Sequence, residues 1–208
     1  MQMPSNRRDE RARIVAAGGE VRAVMLERAS VFVSALLLLD RTISDADNRE
    51  QSALLEDLLH ARPGEQVAVK ARLLQYGLSP SGTTTVFVTS VPGAALYPQV
   101  SAVRDTLGST SSLVSLHAGH ICAIVATENP EKLAERIVRM LAGQSITSLV
   151  GYAVSERGLD GVADAHDEAH RVVAAEKALG WSSGHADAVK LGLAGMMLSG
   201  VDPTESVC

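Results

Sequence analysis

Imidazole and thiol side chains have the strongest claim to chemistry in this chain, and they fall into two patterns. His117, His120 and Cys122 read H-x-x-H-x-C, while His166 and His170 stand at i and i+4. Histidine and cysteine are proper zinc ligands, and an i, i+4 histidine pair can hold the metal from one face of a helix. Each pattern is incomplete for that purpose. Strand alternation puts His120 and Cys122 on one face and leaves His117 across the turn. The helical zinc-protease pattern needs Glu directly after its first histidine, and here Asp167 stands there. The residues read as polar groups at a hairpin tip, a buried cysteine, a partly buried His166 and an exposed His170. No catalytic, cofactor-binding or metal-ligating residue is assigned.

Other chemistries lack their signatures. The sequence contains no G-x-S-x-G elbow, no Walker loop and no G-x-G-x-x-G. Gly192-Leu193-Ala194-Gly195 lies inside a helical pattern, where close packing is sufficient reason for the glycines. Met196-Met197 reads as gap-filling core.

The elements that must carry these residues follow from periodicity. Glu20–Ile43 is helical, and a second helix over Asp47–His60 carries Leu54, Leu55, Leu58 and Leu59 before the Arg62-Pro63-Gly64 break. A third covers Glu65–Tyr76, with Gly77 as a left-handed C-cap. After the Ser79–Gly82 turn cluster the character changes. Thr83–Val91 is a β-branched strand and Ala95–Leu107 a helix. Ser111–Leu116 and His120–Thr127 form a hairpin. Asn129 and Pro130 open a helix to about Leu141. Ile146–Ser155 is a fourth strand. Leu159, Val162, His166, Ala169 and Val173 are spaced 3, 4, 3, 4 along a helix over Leu159–Leu179, and a last helix covers Ala186–Leu198. The order from Thr83 is β-α-β-β-α-β-α-α, an α+β mixed sheet in the split β-α-β (ferredoxin-like) layout, with helices packed on it and helices before it.

Composition narrows the partners. The chain has 208 residues, a net charge of -5 and 3% aromatics. An acidic, aromatic-poor chain lacks the positive footprint and stacking platforms of a nucleic-acid binder, so direct nucleic-acid binding is not expected. The longest apolar run, around Val31–Leu39, falls short of the roughly 20 residues of a membrane span. Two cysteines give no disulfide framework, and the N-terminus has no apolar signal segment, which points to the cytoplasm.

Two segments, LLEDLLHARPGE at 54–65 and VGYAVSERGLDGVADAHDEAHRVVAAEKALG at 150–180, carry a family texture. They resemble the middle domain of bacterial sugar-diacid/purine-catabolism (CdaR/PucR) transcription regulators. That domain is GGDEF-like, a degenerate relative of the diguanylate cyclase fold. LERASVFVSALLLLDR at 26–41 resembles the last helix of a GAF-type sensory domain. The resemblance implies a polar tail over 1–19, a helical linker and dimerisation segment over 20–79, the GGDEF-like domain over 80–200 and a tail over 201–208. Nine residues follow Ser199, too few for a helix-turn-helix, so the chain is expected to correspond to the middle of such a regulator. An active cyclase carries an acidic Gly-Gly-Asp/Glu-Glu-Phe turn at the central hairpin. Leu116–Ile121 holds no carboxylate, and neither does Val86–Val91, so no cyclase activity is expected.

The resemblance implies signal relay without catalysis. The long helix suggests how the relay is assembled. Val21, Val24, Met25, Phe32, Leu36 and Leu39 make one apolar stripe, and further apolar residues surround it. A helix apolar on most sides must be covered on most sides, so a homodimer through this helix is expected. The alternative is a small-ligand or nucleotide-binding module, or an enzyme, with a pocket between the sheet and its helices.

Overall fold

Runs of β-branched residues build the strands. β1, Thr84–Ser90 (TTVFVTS), is buried along its length apart from the last residue, as a strand covered on both faces must be. The computed structural model describes Met25 and residues 30–36, 38–39, 46–60, 66–93, 96–108 and 110–192. The chain divides into two units, Met1–Asp47 and Asn48–Cys208. In the first, residues 30–36 and 38–39 are helical. Val21, Val24, both terminal tails, the Arg62-Pro63-Gly64 break, Met196-Met197 and Cys208 lie outside the described residues.

The second unit is the α+β sheet domain. Residues 48–60 of α1 (46–60) and α2 (Gln66–Leu73) lead into β1, followed by α3 (Leu96–Leu107), β2 (Ser112–His117), β3 (His120–Val125), α4 (Pro130–Gly143), β4 (Leu149–Ser155), α5 (Val162–Ala178) and β5 (Gly184–Ala186). The sheet order is β2-β3-β1-β4-β5. β1 pairs antiparallel with β3 and with β4, while β5 joins parallel to β4. From β1 to β4 this is the split β-α-β arrangement that the element order implies.

Alternation along each strand sorts the core into two layers. Phe87, Val114, Ala123, Val125 and Tyr152 meet α3 and α4 through Val103, Leu107, Ile137 and Leu141. On the other face Val86, Val88, Leu113, Cys122 and Ala153 meet Leu54, Leu55 and Leu58 of α1, Val69 and Leu73 of α2, and Ala169 and Val173 of α5. Residues 48–78 thus contribute to the same core as the sheet. The expected α5 stripe is confirmed, since Leu159, Val162, His166, Ala169 and Val173 are all buried. Gly77 takes the left-handed C-cap conformation after a short 3-10 turn, Leu74–Tyr76.

Some boundaries differ, each for a local reason. β4 begins at Leu149, because residues 144–146 are used to close α4. Ser145 is left-handed (φ 60°), and the Ile146 N–H returns to the Leu141 carbonyl. A 3-10 turn at Gly158–Gly161 delays α5 to Val162. Asn129 takes the N-cap position with Pro130 behind it, yet its side chain makes no capping hydrogen bond. β5 is an element that periodicity did not indicate. It ends on Ala186, the first residue of the expected last helix, of which residues 188–192 are helical.

Candidate functional site

The β2–β3 hairpin turns through Ala118 and Gly119, both with positive φ (47° and 75°), the pattern of a two-residue type I′ turn. Such a turn sets the flanking residues opposite each other, and His117 pairs in register with His120. Directly opposed residues project from the same sheet face. His117 therefore shares a face with His120 and Cys122, which corrects the expectation that it lies apart across the turn.

That face is the one α5 and α1 cover. α5 sets His166 and His170 above the hairpin, one helical turn apart, and α1 brings Glu56 and His60 to its end. The rings form a continuous seam. Centroids are 6.1 Å apart for His60–His117, 5.0 Å for His117–His166, 6.3 Å for His166–His170 and 4.9 Å for His170–His120. The 5.0 Å and 4.9 Å contacts are edge-to-face, the arrangement in which a ring's positive edge meets a negative face. Five of the six histidines of the chain meet here. His170 is half-buried, not exposed as its sequence position suggests.

Partners fix the proton positions on several rings. His117 Nδ1 lies 2.7 Å from Glu56 Oε2, His120 Nδ1 3.0 Å from the Ala118 carbonyl, and His60 Nδ1 3.1 Å from the Glu56 carbonyl. Each partner is an acceptor, so each Nδ1 carries the hydrogen and donates. His166 Nδ1 faces Asp167 Oδ1 at 3.4 Å, which leaves Nε2 to accept from the Cys122 thiol at 3.7 Å.

Burial governs the charge states. Desolvation, helped by the nearby Lys177 and His170 charges, lowers the His120 pKa to about 4. Desolvation also lowers His166, against a smaller upward pull from Asp167. The Cys122 thiol is pushed up to about 12 by burial and stays protonated at neutral pH, so it is neither a ready nucleophile nor a ready metal ligand. Among the described residues, no three His, Cys, Asp or Glu side chains are placed to hold a metal ion. What the seam can do chemically is take up protons.

The sequence patterns set the hairpin and α5 histidines apart and did not single out Glu56 or His60. The available signal was spacing: Glu56/His60 and His166/His170 are each i, i+4 pairs, and each therefore shares one helix face. Of the residues expected at a dimer interface, Met25, Phe32, Leu36 and Leu39 are exposed within the first unit.

A family model for the GGDEF-like domain matches residues 60–175, more than half of the 208 residues. The chain belongs to the GGDEF-like domain family. All five seam histidines fall within the matched part of this GGDEF-like domain, and its central hairpin is the one tipped by His117-Ala118-Gly119-His120. Among curated proteins, none matches the chain.

Proposed function

We propose that the chain is a non-catalytic signal-relay and dimerisation module of a CdaR/PucR-type transcription regulator, working in the cytoplasm through packing and self-association instead of turnover. The observation that carries this reading is the hairpin tip. A cyclase needs carboxylates there to draw magnesium to the nucleotide phosphates. Here the flanking positions hold two imidazoles, both packed against α5 through edge-to-face ring contacts. The buried free thiol of Cys122 fits a reducing compartment. DNA contact would come from a helix-turn-helix supplied elsewhere in the regulator.

Incubation of the full chain with GTP and magnesium, followed by chromatography of the products, tests the non-catalytic reading. The expected result is unchanged GTP. Protein-dependent formation of a cyclic dinucleotide overturns it.

A second reading, ligand binding, is favoured by a groove of about 540 Å³ lined by Thr83, Ala126, Thr127, Glu128, Pro130 and Val154. It opens where β1, β3 and β4 meet the start of α4. A ligand there would raise the melting temperature with concentration, by mass action.

A further inference from the structure

We propose that the histidine seam joining α1, the β2–β3 hairpin and α5 is a proton-sensitive junction, closed near neutral pH and loosened by proton uptake in mildly acidic conditions. The inference rests on geometry and stands whether or not the relay reading does.

The groups that face the seam come from every element around it. α1 supplies Glu56 and His60, the hairpin His117 and His120, β3 Cys122, and α5 His166, Asp167, His170 and Lys177. Two carboxylates thus stand against five imidazoles and one ammonium. His117 already faces Glu56. Protons on His120 and His166 place positive charge against neighbouring rings whose centroids lie 4.9–6.3 Å away and near Lys177, at half-buried and buried positions where solvent screens only in part.

Hydrogen bonding points the same way. His166 Nε2 is the acceptor for a thiol that burial keeps protonated. A proton on that nitrogen turns it into a donor facing a donor, and both lose their partner. The side chains on α1, the hairpin and α5 that touch the seam must then move apart.

The direction of the pH response follows from the His120 and His166 shifts. Both are lowered in the folded domain, so the open junction binds more protons than the closed one. The closed form is fully favoured above about 6.5 and loses ground as pH falls toward about 4. At pH 5, His120 alone shifts the opening equilibrium by about an order of magnitude. Glu176, buried elsewhere on α5, has its pKa raised to about 7 and acts oppositely on global stability. The informative readout is therefore local protection.

Hydrogen exchange of the full chain, in EDTA, at pH 7 and pH 5 and corrected for intrinsic exchange, tests the junction. Amides of 54–60 and of the hairpin ends are expected to lose protection at least about tenfold at pH 5, while α4 on the opposite sheet face changes by less than about twofold. The double variant His120→Gln/His166→Gln is expected to lose most of that response. If it does not fold, His170→Gln must reduce the response, since it removes the ring facing His120. Unchanged seam protection, an equal loss in α4, or a full response in the folded variant overturns the proposal.

Discussion

Gln51 Oε1 accepts the backbone N–H of Val114 at 3.1 Å, so a side chain from α1 caps a backbone donor of β2, the strand at the edge of the sheet. An edge strand exposes unpaired backbone groups that must be covered or solvated. Arg104 of α3 reinforces the same point from the other layer. Its Nη2 donates to Gln51 Oε1 at 3.1 Å, to Asn48 Oδ1 at 2.9 Å and to the Val114 carbonyl at 3.0 Å. Ser52 and Ser115 add a hydroxyl pair at 2.6 Å. α1 is thereby clamped to the sheet edge at one end and to the histidine seam at the other.

Gln51→Ala is expected to lower stability by about 1–3 kcal/mol, because it leaves a buried backbone donor unsatisfied. Gln51→Glu keeps an acceptor facing both Val114 and the Arg104 guanidinium and is expected to lose less. Urea denaturation midpoints of the two variants give the comparison. Equal losses would show that side-chain volume matters there and the acceptor does not.

Gly151→Ala is expected to be among the most damaging small substitutions. A Cβ on Gly151 of β4 would stand 2.3 Å from the Ala169 carbonyl oxygen and 2.9 Å from Val173 Cγ2. The first contact is backbone, so α5 as a whole must retreat, at a cost of about 1–3 kcal/mol or more. Gly143→Ala is the control. Nothing lies within 4 Å of its added Cβ, and the helix end should gain a few tenths of a kcal/mol or stay neutral, as roughly expected for Gly→Ala in a helix. A thermal melt in which both variants behave alike would contradict the close β4–α5 contact.

How much of this was legible in the sequence depends on how local the determinant is. β1 could be read because consecutive Thr and Val residues prefer a strand wherever they fall. The buried stripe of α5 could be read because 3, 4, 3, 4 spacing defines one helix face. β5 could not, since Gly184–Ala186 has three residues and exists only through its parallel pairing with Leu149–Gly151. The histidine seam was hidden for the same reason. His117 and His166 touch only because α5 returns across the hairpin, an arrangement fixed by sheet order and not by spacing. Gln51 looked like an ordinary polar helix residue until the strand edge it covers was in place.

Glu176 gives a pH prediction of opposite sign to the seam. It is fully buried, neither carboxylate oxygen has a hydrogen-bond partner, and desolvation raises its pKa to about 7. A carboxyl that holds its proton in the folded state contributes its full stability below its unfolded value, near 4.5, and loses it as pH rises through about 7. The stability of the wild type relative to Glu176→Gln should therefore fall between pH 5 and pH 8. Glu176→Leu should be more stable than wild type at pH 8, because it removes an unpaired buried charge. Differences that do not vary with pH would mean that the carboxyl is solvated.

Self-association tests the reading of the chain as a relay module that works by dimerising. Phe32, Leu36 and Leu39 in the first unit expose apolar side chains (71%, 64% and 57%). Burying each side chain is worth about 1.5–3 kcal/mol, enough in combination to offset a cost of association of roughly 4–15 kcal/mol. Light scattering of the full chain at concentrations on the order of tens of micromolar should give the mass of two chains, and Phe32→Glu with Leu36→Glu should give the mass of one. A single-chain mass for the unmodified protein contradicts the dimerising relay, and a dimer that survives both substitutions contradicts the proposed interface.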